Sequence, residues 1–342
     1  MRYNTLGVHL TNTCPLACGH CITDSSPSAR GELSWPQIEE AIRSAADYVD
    51  GVCLTGGEPM LLRDMVLRAI GLTCRLGLRA SVVTSGYWAS TPEKAAHGVR
   101  ELAVAGLDKL AISFDRYHLV PRHNKMVGPQ TLNYLLAAGA PTAMEMVVQV
   151  CIPRGEDPAE DAAYKTAAAA VARFGGRLES SEVVPFGRAV TIAARPGARV
   201  SDVPAGPCGV VGRPILTPEG DFYTCCGPAR GAPASSPLRL PIAVAGEVGA
   251  ALAKAGLDPI INTIHTQGPK AMFELLSADA RQRVSGKLRD GSMCSLCRAI
   301  TDDPQAVAEV RAAAGGSELR LIALSGVLQV AQDQAGVGAC HR

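Results

Sequence analysis

The stretch Leu6-Gly7-Val8-His9-Leu10-Thr11-Asn12-Thr13-Cys14-Pro15-Leu16-Ala17-Cys18-Gly19-His20-Cys21 decides the fold. Its first half is a short apolar, β-prone run, and its second half is a loop that carries three thiols directly after that run. The same rhythm recurs down the chain. Further β-prone runs lie at 51–55, 78–85, 109–114, 144–152 and 177–184, after the first at 6–12, with longer helical patterns between them. Ser34 and Gln37 stand in capping-box spacing and Thr91 precedes Pro92, both marks of a helix start. Alternating strands and helices imply a parallel sheet, and six such units are too few for a closed eight-stranded barrel. The expected fold class is therefore α/β: a partial (β/α)6 TIM-like barrel over residues 1–195, with its active face at the C-terminal ends of the strands.

Beyond Arg195 the composition turns to Pro, Gly and Ala with little periodicity, which predicts a loop-rich, Cys-rich module over 196–303. Within it, 213–225 reads as a β-hairpin turning at Glu219-Gly220-Asp221, and 269–276 reads as a helix. A C-terminal helix at 304–314 and a tail complete the third part, 304–342. The balance of 33 Lys+Arg against 32 Asp+Glu, a net charge of +1, provides no broad surface for nucleic acid, so peptide or small-molecule partners are favoured. With 47% hydrophobic residues the chain can bury a large core. No secretory signal stands at the N-terminus, and the longest apolar run, 319–331, is too short to span a bilayer. A cytoplasmic protein with reduced thiols is expected.

The twelve cysteines therefore need another use than disulfides. Cys14, Cys18 and Cys21 have C-x3-C-x2-C spacing, which at this cysteine frequency would arise by chance only about 0.015 times in the chain. Three thiolates hold three irons of a [4Fe–4S] cluster and leave the fourth open to a ligand. Structural zinc is the alternative, but it wants a fourth Cys or His, and His20 adjoins Cys21 too closely to complete a tetrahedron easily. Cys53, Cys74 and Cys151 read as core, and His118 and His123, near the barrel mouth, as solvated loop residues, with substrate binding as the alternative.

This loop resembles that of the radical SAM superfamily, as does Gly56-Gly57-Glu58-Pro59 after the second strand, the family's "GGEP" signature. The resemblance implies S-adenosylmethionine (SAM) bound at the open iron, with Gly56, Gly57, Glu58 and Pro59 near its methionyl end and His20 where an aromatic commonly packs on adenine. Thr84-Ser85-Gly86 resembles a "TNG" element with Ser85 in place of Asn, Ser113-Phe114-Asp115 an "SxD" element near the ribose or substrate, and Pro185-Phe186-Gly187-Arg188-Ala189 a "PxGRA" exit with Arg188 at the cofactor.

The later cysteines resemble the SPASM/twitch subgroup. Cys208, Gly220, Cys225, then Cys294 and Cys297 follow its pattern, and the absence of the further full-length motif favours the twitch form with one auxiliary [4Fe–4S] cluster on those four thiols. Cys226 could exchange with Cys225, and structural zinc is the alternative occupant. The family implies reductive cleavage of SAM to a 5′-deoxyadenosyl radical, with electrons from a flavodoxin or ferredoxin. Hydrogen abstraction from a peptide or small natural product would then lead to oxidation or cross-linking. Two alternatives remain: an epimerase with Cys226 or Cys340 as hydrogen donor, and a non-catalytic iron–sulfur binding or electron-transfer protein.

Overall fold

Alternation along each strand sorts side chains between a helix-covered face and an open lumen. Val52 and Leu54, Leu110 and Ile112, and Val148 and Val150 are buried under the helices, whereas Cys53 and Thr55, Ala111 and Ser113, and Gln149 and Cys151 line cavities inside the curve of the sheet. This computed structural model describes residues 2–119, 127–225 and 227–315. Cys226, Cys340, His123 and the apolar run 319–331 lie outside the described residues.

The barrel runs β1 (Leu6–His9), α1 (Trp35–Ala45), β2 (Gly51–Thr55), α2 (Arg63–Arg75), β3 (Arg79–Thr84), α3 (Pro92–Ala105), β4 (Lys109–Ser113), α4 (Pro129–Gly139), β5 (Glu145–Ile152), α5 (Ala162–Phe174) and β6 (Arg177–Glu182). All six strands are parallel, in the order β6-β5-β4-β3-β2-β1. The expected helix starts hold. Ser34 and Gln37 form the capping box of α1, and the Thr91 hydroxyl accepts from Lys94 N at 3.3 Å over Pro92 at the first turn of α3. The predicted strands overran mainly at their C-terminal ends, because those residues leave the ladder to build the loops of the barrel mouth.

The chain continues through α6 (Val190–Ala193), β7 (Ile215–Leu216), β8 (Phe222–Tyr223) and β9 (Arg239–Leu240). The expected hairpin is present as β7 and β8, and β9 adds to it antiparallel. β7 also pairs parallel with β1, Gly7 against Ile215, so the meander prolongs the barrel sheet to nine strands rather than forming a sheet of its own.

The following segment corrects the expectation of a loop-rich module. It holds α7 (Val248–Ala255), α8 (Pro259–Thr266), α9 (Pro269–Glu274), α10 (Ala278–Ser285) and α11 (Met293–Thr301), and α12 (Pro304–Gly315) packs against α8, α10 and α11. These helices have six to nine residues before α12, too few for a periodic pattern to repeat. The expected helices at 269–276 and 304–314 are present as α9 and α12, and Pro259, Pro269 and Pro304 open α8, α9 and α12, where the missing N–H costs nothing.

Candidate active site

The loop after β1 is fixed by its backbone before any ligand is considered. Cys14 N donates to Ser26 O at 3.1 Å and Cys21 N to Cys18 O at 3.1 Å. Arg188 closes it from the far end of the barrel: its backbone N donates to Cys21 O at 3.0 Å, Nε to Cys18 O at 3.0 Å and Nη2 to Ser25 O at 2.6 Å. Gly187 makes this possible, since its φ is +57° and a Cβ there would lie 2.6 Å from the carbonyl oxygens of Cys21 and Ile22. Arg188 thus positions the thiol loop as well as lining the cavity beside it.

Gly56 and Gly57 serve the same loop from β2. Gly57 N donates to Thr11 O at 2.6 Å and Glu58 N to Thr13 O at 3.0 Å. A Cβ on Gly56 would stand 2.8 Å from Thr11 O, and one on Gly57 would overlap the Thr13 carbonyl. The side-chain positions are therefore filled by protein backbone, while the peptide edge borders a cavity of about 450 Å³.

That cavity sits at the C-terminal strand ends. Cys14, Cys18, Cys21 and His20 lie along its wall, as do Gly56, Gly57, Ser85, Ser113 and Arg188. Glu58 and Pro59 are not on this wall, which corrects their placement as cofactor contacts. Glu58 is fully buried, and its carboxylate accepts from Thr84 Oγ1 (2.7 Å), Ser85 N (2.8 Å), Ser85 Oγ (2.6 Å) and Met60 N (3.1 Å). Burial pushes its carboxyl above the ordinary value, with those hydrogen bonds opposing. Glu58 ties β2 to β3, and Pro59 opens the short 3₁₀ turn that follows.

Asp115 lies one layer behind. Its carboxylate receives His118 Nδ1 at 2.8 Å, Tyr117 N at 2.9 Å and His20 Nε2 at 3.3 Å. Burial alone would raise its carboxyl, but His118 and His20 hold it well below the usual carboxylate range, and both imidazoles are raised in return. His20 is stacked on Tyr117, ring centroids 4.6 Å apart. His118 lines the cavity with its side chain only 11% exposed, so it is not a solvated loop residue: Asp115 draws it in.

Three other thiols depart from expectation. Cys151 faces the cavity rather than the core, because it shares the inward parity of Gln149 on β5. Cys74 is exposed, its Sγ 3.1 Å from Gly106 O. Cys53 faces the lumen. Sequence reasoning also missed His9, whose Nε2 donates to Thr11 O at 3.0 Å while Nδ1 accepts from Arg230 at 3.0 Å. Arg230 further reaches Asn12 Oδ1 (2.9 Å) and Glu219 Oε1 (3.1 Å). The inward parity of β1 could have identified His9, but nothing local announces Arg230.

The three loop thiols act electrostatically on one another, and burial pushes Cys14 and Cys18 up to about 12. Such thiols ionise when a cationic, thiophilic centre binds them, so the donor set fits an iron–sulfur cluster. A second set converges elsewhere: Cys208, Cys225, Cys294 and Cys297 line one small cavity walled by Val210, Leu238, Ile264 and Met293. Burial, with Cys225, Cys294 and Cys208 as neighbours, pushes the Cys297 thiol well up. Arg298, next along α11, donates to the carbonyls of Pro228 and Gly231 and so holds the loop that follows Cys225.

Residues 8–139 match the model of the radical SAM superfamily. This segment is a radical SAM domain. Members of that superfamily bind a [4Fe–4S] cluster and SAM. Among curated relatives, a probable GTP 3′,8-cyclase of Methanothermobacter thermautotrophicus is 35% identical over 113 residues, 32% of this chain and 35% of that protein. The PqqA peptide cyclase of Rhizobium meliloti is 36% identical over 109 residues, 30% of this chain and 27% of that one. The chain thus spans about a third of the length of these relatives. Over nearly its whole length the chain shares its fold with native anSMEcpe with bound AdoMet and Cp18Cys peptide, at TM-score 0.51 and 10% identity, covering 94% of this chain and 99% of that one. No helix among the described residues is long and apolar enough to cross a membrane.

Proposed function

We propose that the chain is a radical SAM enzyme acting on a C–H bond of a peptide or small natural product, with oxidation or cross-linking as the outcome. The observation that carries this is the convergence of Cys14, Cys18 and Cys21 on one wall of a 450 Å³ cavity that Gly56 and Gly57 also border. Cys14, Cys18 and Cys21 would hold a [4Fe–4S] cluster, which would supply the electron for reductive cleavage of SAM and so the radical chemistry needed at a C–H bond. The chain's own residues do the positioning. Arg188 and Gly187 fix the loop, the glycine pair presents backbone at the methionyl end, and His20 with Ser113 borders the nucleoside side.

On this reading, residues 1–195 hold the cofactor and 196–303 hold an auxiliary twitch-like cluster on Cys208, Cys225, Cys294 and Cys297, with 304–342 as a C-terminal helix and tail. The names of the PqqA peptide cyclase and the GTP 3′,8-cyclase support peptide and small-molecule substrates respectively. A flavodoxin or ferredoxin would donate electrons in the cytoplasm.

Anaerobic reconstitution should load about eight irons per chain, and about four in a Cys208→Ala/Cys297→Ala variant. Dithionite with SAM should give 5′-deoxyadenosine, abolished by Cys21→Ala. Iron-replete protein that forms none overturns the enzymatic reading, and zinc in place of the second four irons overturns the auxiliary cluster.

A further inference from the structure

The lumen does not end at the cofactor cavity. A second cavity, of about 400 Å³, shares Thr55, Val83 and Gln149 with it and opens at the N-terminal strand ends. Arg79 begins β3, Lys109 begins β4 and Arg213 lies two residues before β7, and all three line this lower cavity. Among the described residues none of the three has a carboxylate within ion-pair distance. The two acids on the same wall are already engaged: Asp108 Oδ2 accepts from Ala80 N at 2.7 Å, and Glu145 pairs with Arg177 at 3.0 Å. Lys109 shares the inward parity of Ala111 and Ser113 on β4, and Arg213 lines the same cavity from the β7 side, with Cys53 between them. The wall therefore carries three unpaired cations against Asp108, the one carboxylate on it without a basic partner, and this excess of positive charge in a concave site attracts anions.

We propose that Arg79, Lys109 and Arg213 bind the anionic end, phosphate or carboxylate, of a substrate whose reacting carbon lies in the upper cavity. β4 runs from Lys109 to Ser113, so the anion sits roughly 13 Å below the chamber wall at the usual rise per residue. The substrate class is thus an elongated polar molecule carrying a terminal anion about that far from the attacked C–H bond. The substrate assignment rests on the radical SAM reading; the anion site itself does not.

Calorimetric titration of the as-isolated protein, without SAM or reductant, tests the site with inorganic pyrophosphate and with glutarate. Saturable binding is expected, weakened at least tenfold in Lys109→Met/Arg213→Met and unchanged in Arg75→Met on the outer helix α2. Pyrophosphate binding alone assigns a phosphorylated substrate, and glutarate binding of similar strength assigns a carboxylate. Binding of neither ion, or equal binding by the double variant, overturns the proposal. Iron content and melting temperature report whether that variant is folded; if it is not, the single variant Lys109→Met at parental melting temperature decides in its place. Failure of 5′-deoxyadenosine formation with anion binding intact would count against the radical reading and not against this site.

Discussion

Asp115 keeps its charge at 1% exposure because donors converge on it from His20, His118 and the backbone of Tyr117. Removing one partner of a buried ionic cluster leaves the others without compensation, which costs about 3–5 kcal/mol. Asp115→Asn should therefore lower unfolding free energy by about 3 kcal/mol in urea and weaken SAM binding, since His20 loses the group that orients it. A change below about 0.5 kcal/mol would show that the cluster is dispensable. At this scale the sequence was informative where chemistry is local. Cys14, Cys18 and Cys21 lie on one loop, so spacing alone groups them. Cys151 was misplaced because only the parity of β5 relative to the lumen shows which way it points. The contact of Arg230 with His9 joins residues 221 apart, and no local pattern encodes it.

Elements show the same division. The six barrel strands were legible because each is an apolar run bounded by turn residues, and their mouth-side ends were not, since the residues that leave the ladder are as β-prone as those within it. Gly57→Ala would force apart β2 and the Thr13 carbonyl of the thiol loop. Iron bound by the Cys14 loop should fall at least tenfold, read by iron quantification in the Cys208→Ala/Cys297→Ala background; unaltered loading would mean that the loop adapts. Leu110 is fully buried in β4, and Leu110→Ala should destabilise the fold by about 2–5 kcal/mol by leaving a cavity between β4 and its covering helices. Of the helices between 248 and 301 only α9 was legible; α7, α8, α10 and α11, of eight or nine residues each, are too short for their apolar spacing to repeat.

Across the whole molecule, Arg230 and Arg298 link the second thiol set to the barrel through His9, Asn12 and the loop at 228–231. Burial first, and Arg230 beside it, lower the His9 pKa from 6.5 to about 3, so the folded protein keeps it neutral. The unfolded chain binds a proton there below pH 6.5, so the stability held above that pH is lost as pH falls toward about 3. Apo protein should lose about 1–2 kcal/mol from this group between pH 7 and pH 5, a loss that His9→Gln should not share. Equal losses in both would show that His9 does not set the pH dependence.

The parallel pairing of Gly7 with Ile215 also governs how the chain is made. β1 leaves the ribosome early, but its outer partner follows about 200 residues later, at ordinary elongation rates some 10–40 s afterwards. Through that interval β1 is paired with β2 on one side only and forms an apolar edge of the nascent barrel, the kind of edge that templates aggregation. Expression yield should therefore respond to translation speed and chaperone supply more than the stability of the finished sheet would suggest.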